Sequence, residues 1–162
     1  MSLSKLLCVM MEYYSQVRFS EHSVKCYTYA SSIGSGEGLR SSDMLILSAA
    51  AILHDVGIPR ALEIHGSSKG GFQEKEGAFL VPGLLEKAEM DSGITGRVSW
   101  LVGHHHTHEL AESDLLLQIL MEADYLVNLA EKKSPAEEIR KVSDEFFKTA
   151  TGKEYIKALF GF

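Results

Sequence analysis

Apolar residues recur at helical spacing along almost the whole chain, and no segment keeps up the strict alternation of a half-buried strand. That pattern predicts an all-α fold, a compact helical bundle of about seven or eight helices. The chain has 162 residues, 45% of them hydrophobic, enough to bury one core and too few to divide comfortably into two. The expectation is therefore a single domain over residues 1–162, with a motif-bearing part over about 20–130 and C-terminal helices over 134–160. The first helix is expected over Leu3–Val17. A second, capped by Ser20, carries His22, Cys26, Tyr29 and Ile33 on one stripe, and an alanine-rich third ends at Val56-Gly57. Arg60–Gly71 reads as a polar, glycine-rich connection. Gln73–Met90 reads as helix with Pro82-Gly83 inside it, as a kink or as a division. Helices over Ile94–His106, from Ser113 and over Pro135–Thr149 follow, with a short one from about Lys153.

Composition removes several classes of partner. With 16 basic against 22 acidic residues the formal charge is −6, which speaks against a nucleic-acid polymer while leaving room for a small phosphorylated molecule in a locally positive pocket. The longest apolar run, Leu45–Leu53 broken by Ser48, is far short of a membrane span, and Met1-Ser2-Leu3-Ser4-Lys5 opens no secretory signal. Cys8 and Cys26 stand alone, as buried thiols of a reducing compartment would. A cytoplasmic location is the expectation, with oligomerisation left open.

The chemistry lies where polar metal-ligand residues replace apolar ones on a helical face: His22, the pair His54-Asp55, the pair His104-His105, and Asp124. Asp124 shares a face with Leu116, Leu120 and Val127, and an uncompensated carboxylate there would cost several kcal/mol. It needs a partner, either a cationic side chain or a metal. Imidazole nitrogens together with carboxylate oxygens suit a divalent transition metal such as Fe, Mn, Ni, Co or Zn, whereas calcium or magnesium would ask for oxygen throughout. Asp55 can also reach a second ion.

In this order, with His54-Asp55 embedded in Leu53-His54-Asp55-Val56-Gly57 and Asp124 in Glu122-Ala123-Asp124, the chain resembles the HD superfamily of metal-dependent phosphohydrolases over about Glu21–Leu129. The resemblance implies an HD-type bundle in which His22, His54, Asp55 and Asp124 hold one divalent metal. It matches His104 and His105 to the ligands of a second metal, helped by His65, Glu76 or water. Where two-metal members place a histidine ahead of a Glu-Gly-Ala-like segment, this chain has Gln73 before Glu76-Gly77-Ala78. It also lacks the Gly-Tyr-Pro motif of the branch that cleaves cyclic dinucleotides.

The function implied is hydrolysis of a small phosphorylated substrate, a nucleotide or another phosphomonoester, by metal-activated water. Asp55 would orient that water or accept its proton, His104, His105 or His65 would serve proton transfer to the leaving group, and Lys69, His65 and Gln73 would contact substrate. For Lys69, in His65-Gly66-Ser67-Ser68-Lys69-Gly70-Gly71, the alternative is a mobile surface loop. His106 and His108 are expected in solvent, at a frayed helix end or in the following loop. The competing functional reading is a metal-containing nucleotide sensor with little turnover.

Overall fold

The structure, a computed structural model, describes residues 3–162; Met1 and Ser2 lie outside them. The described chain folds into ten α-helices with no strand among them: α1 (Leu3–Tyr14), α2 (Val17–Gly36), α3 (Ser41–Leu53), α4 (Gly57–His65), α5 (Gly70–Lys87), α6 (Thr95–Val102), α7 (His108–Ala111), α8 (Leu115–Lys132), α9 (Ala136–Phe146) and α10 (Ala150–Phe160). A 3-10 turn, Ser92–Ile94, leads into α6. The all-α fold stands, with more helices than seven or eight.

The extra helices have local causes. The first helix stops at Tyr14 because Ser15 turns left-handed (φ 50°), and the chain restarts at Val17, which is 73% exposed and so never shared the apolar face of α1. Much of the Arg60–Gly71 connection belongs to α4, whose buried side is little more than Gly57 and Ala61. So narrow an apolar stripe leaves the rest polar or exposed, and the segment looks like loop. Gly66 (φ 65°) ends it. The α5 helix runs unbroken through Pro82. A proline inside a helix costs about 3 kcal/mol. Burying Val81, Leu84 and Leu85 beside it, at roughly 1.5–3 kcal/mol each, outweighs that cost. The helix expected over Ile94–His106 ends at Val102, and Gly103–His106 form a turn.

At the centre lies α3, buried over every residue from Leu47 to Leu53. Its run Ala49-Ala50-Ala51 keeps the helix thin, and α1, α2, α6 and α8 all pack against it. Helices α2 and α8 also pack on each other, so α2, α3 and α8 form a mutually packed trio. The chain bends by 42° between α3 and α4, and His54-Asp55-Val56 make the elbow. Helix α4 then lies against α5. A Cβ on Gly57 would run into the carbonyl oxygen of Gln73 and come within 2.5 Å of the Gly77 nitrogen, so only glycine allows this crossing. The tight crossing brings Gln73 up against the elbow.

No single helix among the described residues is long and apolar enough to cross a membrane.

Candidate metal centre

The elbow after α3 delivers two side chains into the interior. His54 is fully buried, and its Nδ1 donates to the Ala51 carbonyl at 2.9 Å, one turn back in its own helix. That bond fixes the tautomer and leaves the Nε2 lone pair directed inward. Nε2 itself has no hydrogen-bond partner. It faces Asp55 Oδ2 at 3.4 Å and Asp124 Oδ1 at 3.5 Å. A buried imidazole nitrogen left unpaired between two carboxylates costs stability unless something positive lies there.

The packed trio supplies the rest. From α2, His22 Nε2 stands 3.1 Å from Asp124 Oδ1 and 3.6 Å from Asp55 Oδ2. On its other side His22 Nδ1 donates to Glu131 Oε2 at 3.0 Å, and Lys25 in turn binds the second oxygen of Glu131 at 2.9 Å. One turn after His22, Cys26 places its sulfur 3.4 Å from His22 Nε2 and 3.8 Å from Asp124 Oδ1. One turn after Asp124, Asn128 donates to Asp124 Oδ1 at 2.7 Å. Donor atoms of His22, Cys26, His54 and Asp124 all lie within 4.8 Å of one another.

That span is close to twice a ligand–metal distance of about 2.0–2.3 Å, and the donor set is borderline in softness. The residues present therefore fit a divalent transition metal, and the orphaned His54 nitrogen is the clearest sign of it.

Without a cation, protons do the balancing. Burial alone would lower His22, but its bond to Asp124 and the neighbouring Cys26 carry its pKa up to about 11. For His54, too, burial is overcome, by Asp55 first, and its pKa stands well above the usual range. Both carboxyls resist burial in turn. The His54 charge holds Asp55 well below the usual carboxylate range, and His22 and then His54 hold Asp124 there. Binding a metal would displace imidazolium protons from this cluster.

Asp55 has a second face. Its Oδ1 accepts from Gln73 Nε2 at 2.9 Å and lies 3.5 Å from His105 Nε2. His105, buried, donates its Nδ1 proton to the Val102 carbonyl at 2.7 Å, so its Nε2 lone pair also points inward. Gln73 Nε2 lies 3.0 Å from that nitrogen and 2.6 Å from His106 Nε2. Burial of the inward edge of His106, with His105 beside it, pushes its pKa down to about 4, so it is neutral near pH 7. The His106 backbone is held by Glu74 Oε1 at 2.8 Å.

Beside the cluster opens a cleft of about 210 Å³ whose lining includes His105, His106, His108, Asp124, Asn128 and Lys132. The structure thus brings together His22, His54, Asp55 and Asp124, and puts His105 and Gln73 on the far side of Asp55. His104 is placed differently: its Nδ1 bonds the Trp100 carbonyl at 2.7 Å, its ring stacks on Trp100, and His106 rather than His104 accompanies His105. His106 lies exposed in the turn after α6, as expected, whereas His108 opens α7 and meets the Tyr125 hydroxyl at 3.2 Å.

His65 and Glu76 pair with each other at 2.9 Å, and Arg60 joins Glu76 at 2.7 Å, which uses them up as ligands of a second site. Lys69 is exposed ahead of α5 and, like His65, does not line the cleft. Sequence reasoning missed Cys26 as a neighbour of the cluster, and also Asn128, Glu131, His106 and Lys132. Their signal was the helical offset: Cys26 follows His22 by four positions, and Asn128, Glu131 and Lys132 follow Asp124 by four, seven and eight.

Residues 19–129 match the family model of the HD domain. Among solved structures, the chain is similar to a predicted HD superfamily hydrolase from an uncultured Thermotogales bacterium, with a TM-score of 0.68 over 97% of this chain and 84% of that one, at 23% identity. At that identity the likeness is one of fold. No curated protein matches the chain.

Proposed function

The chain belongs to the HD-domain family, and from that premise we propose that it is a metal-dependent phosphohydrolase acting on a small phosphomonoester. The observation that carries this reading is the buried, partnerless Nε2 of His54, facing two carboxylates and beside His22. His22, His54, Asp55 and Asp124 would hold one divalent transition metal. When bound, such an ion lowers the pKa of water and neutralises phosphoryl oxygens. The other roles fall to the chain's own groups. Asp55 orients the attacking water. Lys132, the cation lining the cleft, meets the charge of the phosphoryl group. His108, tied to the Tyr125 hydroxyl, is the donor of a proton to the leaving oxygen. Lys69 and His65 drop out of substrate contact, and Gln73 acts through Asp55 instead.

The cleft, about 210 Å³, is smaller than the roughly 300–1,000 Å³ of pockets that enclose drug-sized ligands, which favours a compact substrate or one whose larger end stays outside. The test is metal analysis of the purified protein together with a phosphatase screen over nucleoside monophosphates and sugar phosphates. The expected result is a tightly held transition metal and release of inorganic phosphate. Tight binding of a phosphorylated molecule with no phosphate released would replace this reading with a sensor, and protein that retains no metal would overturn it.

A further inference from the structure

On its far side from His54, Asp55 faces an arrangement built like a cation site with no cation needed to explain it. Asp55 Oδ1, His105 Nε2 and His106 Nε2 converge from the elbow and from the turn after α6, near enough together to hold an ion. The Val102 carbonyl takes the Nδ1 proton of His105, so what His105 offers here is a lone pair. At the point of convergence stands the Gln73 carboxamide nitrogen, 2.9 Å from Asp55 Oδ1, 3.0 Å from His105 and 2.6 Å from His106. Gln73 is buried, 6% exposed, and held there by the close crossing of α4 and α5 at Gly57.

We propose that Gln73 closes a second cation position: its amide nitrogen stands where an ion would, between Asp55, His105 and His106, and so limits the protein to one divalent ion per chain. An amide NH2 presents a positive edge to electron pairs, as a cation does, but brings only two protons to three acceptors. It therefore satisfies the cage incompletely and leaves three ligands in place for any variant that exchanges the donor for a ligand. Gln73→His and Gln73→Glu both do this, the second with almost no change in shape. Each gives Asp55 the chance to bridge two ions, one on each oxygen.

The inference rests on the metal reading above, and counting metal separates the two. Wild type, Gln73→His and Gln73→Glu are loaded with Mn2+, desalted, and measured for metal per chain by mass spectrometry and for ion–ion coupling by electron paramagnetic resonance. Helicity is checked by circular dichroism, and either folded variant suffices. The expected result is one uncoupled ion per chain in wild type and two coupled ions in the variants. Two ions in wild type would overturn the role of Gln73 while leaving the metal centre intact, with the glutamine oxygen acting as ligand. One ion in a folded variant would overturn it as well. No ion in wild type would sink the metal reading and this inference together.

Discussion

Two acidic residues on α8, Glu122 and Asp124, sit two positions apart and meet opposite fates. Glu122 is fully buried and saturated: Oε1 accepts from the Lys148 and Thr149 backbone nitrogens at 2.7 and 2.9 Å and from Gln118 at 2.8 Å, while Oε2 accepts from the Thr149 hydroxyl at 2.5 Å. Lys148 and Thr149 belong to the junction of α9 and α10, so Glu122 ties the C-terminal helices to the bundle. Asp124, pointing the other way, meets imidazoles that could give up their protons and one amide, Asn128. The lesson is that burial alone does not mark a functional carboxylate. What marks it is a set of partners that a cation could replace without leaving N–H groups stranded.

That contrast can be broken experimentally. The largest effect is expected from Asp124→Ala, which should abolish metal retention after dialysis while leaving helicity intact; full metal content would erase the distinction. Glu122→Ala should do the reverse, losing about 3 kcal/mol or more of unfolding free energy in a urea titration because buried donors lose their acceptor, with metal per folded chain unchanged. Glu131→Gln, which keeps the shape but weakens the hold on His22 Nδ1, should weaken metal affinity about 10–100-fold in a competition titration against a chelator.

The smallest effect, per pH unit, comes from the proton on His22. Folding raises its pKa from a usual value of about 6.5 to about 11, so in the metal-free chain its stabilisation is complete below pH 6.5 and is lost as pH rises toward 11. Metal must displace that proton, which by itself should raise apparent affinity by up to about tenfold per pH unit between pH 6.5 and 8.5. Calorimetry at several pH values measures it, and a flat profile would mean that His22 does not ligate.

Where each residue announces itself by interrupting an apolar face, sequence reading reaches it. His22, His54 and Asp124 do so, and α3 and α8 were legible for the same reason, since their apolar stripes continue for several turns. Glu131 and Lys132 stayed hidden because an acidic and a basic residue near a helix end look like solvated surface, and only the packing of α8 on α2 turns Glu131 toward His22. Lys69 differs in the opposite sense. It follows the His54-Asp55 pair closely in the chain, but it is exposed ahead of α5 and does not line the cleft. His104 and His106 differ only by a rotation within the turn after Val102, a matter no periodicity decides once the helix has ended. The added helix α4 needs its partner α5 to bury its narrow stripe, so its stability is written in two segments at once.

The glycine crossing between α4 and α5 has a consequence for how the protein could change. A single methyl at position 57 would act as a wedge, prying α5 outward and withdrawing the carboxamide of Gln73 from the acid and imidazoles it now spans. Backbone spacing thereby becomes a dial on inorganic stoichiometry, and Gly57→Ala, two residues after Asp55, offers a way to turn it while every coordinating side chain keeps its identity.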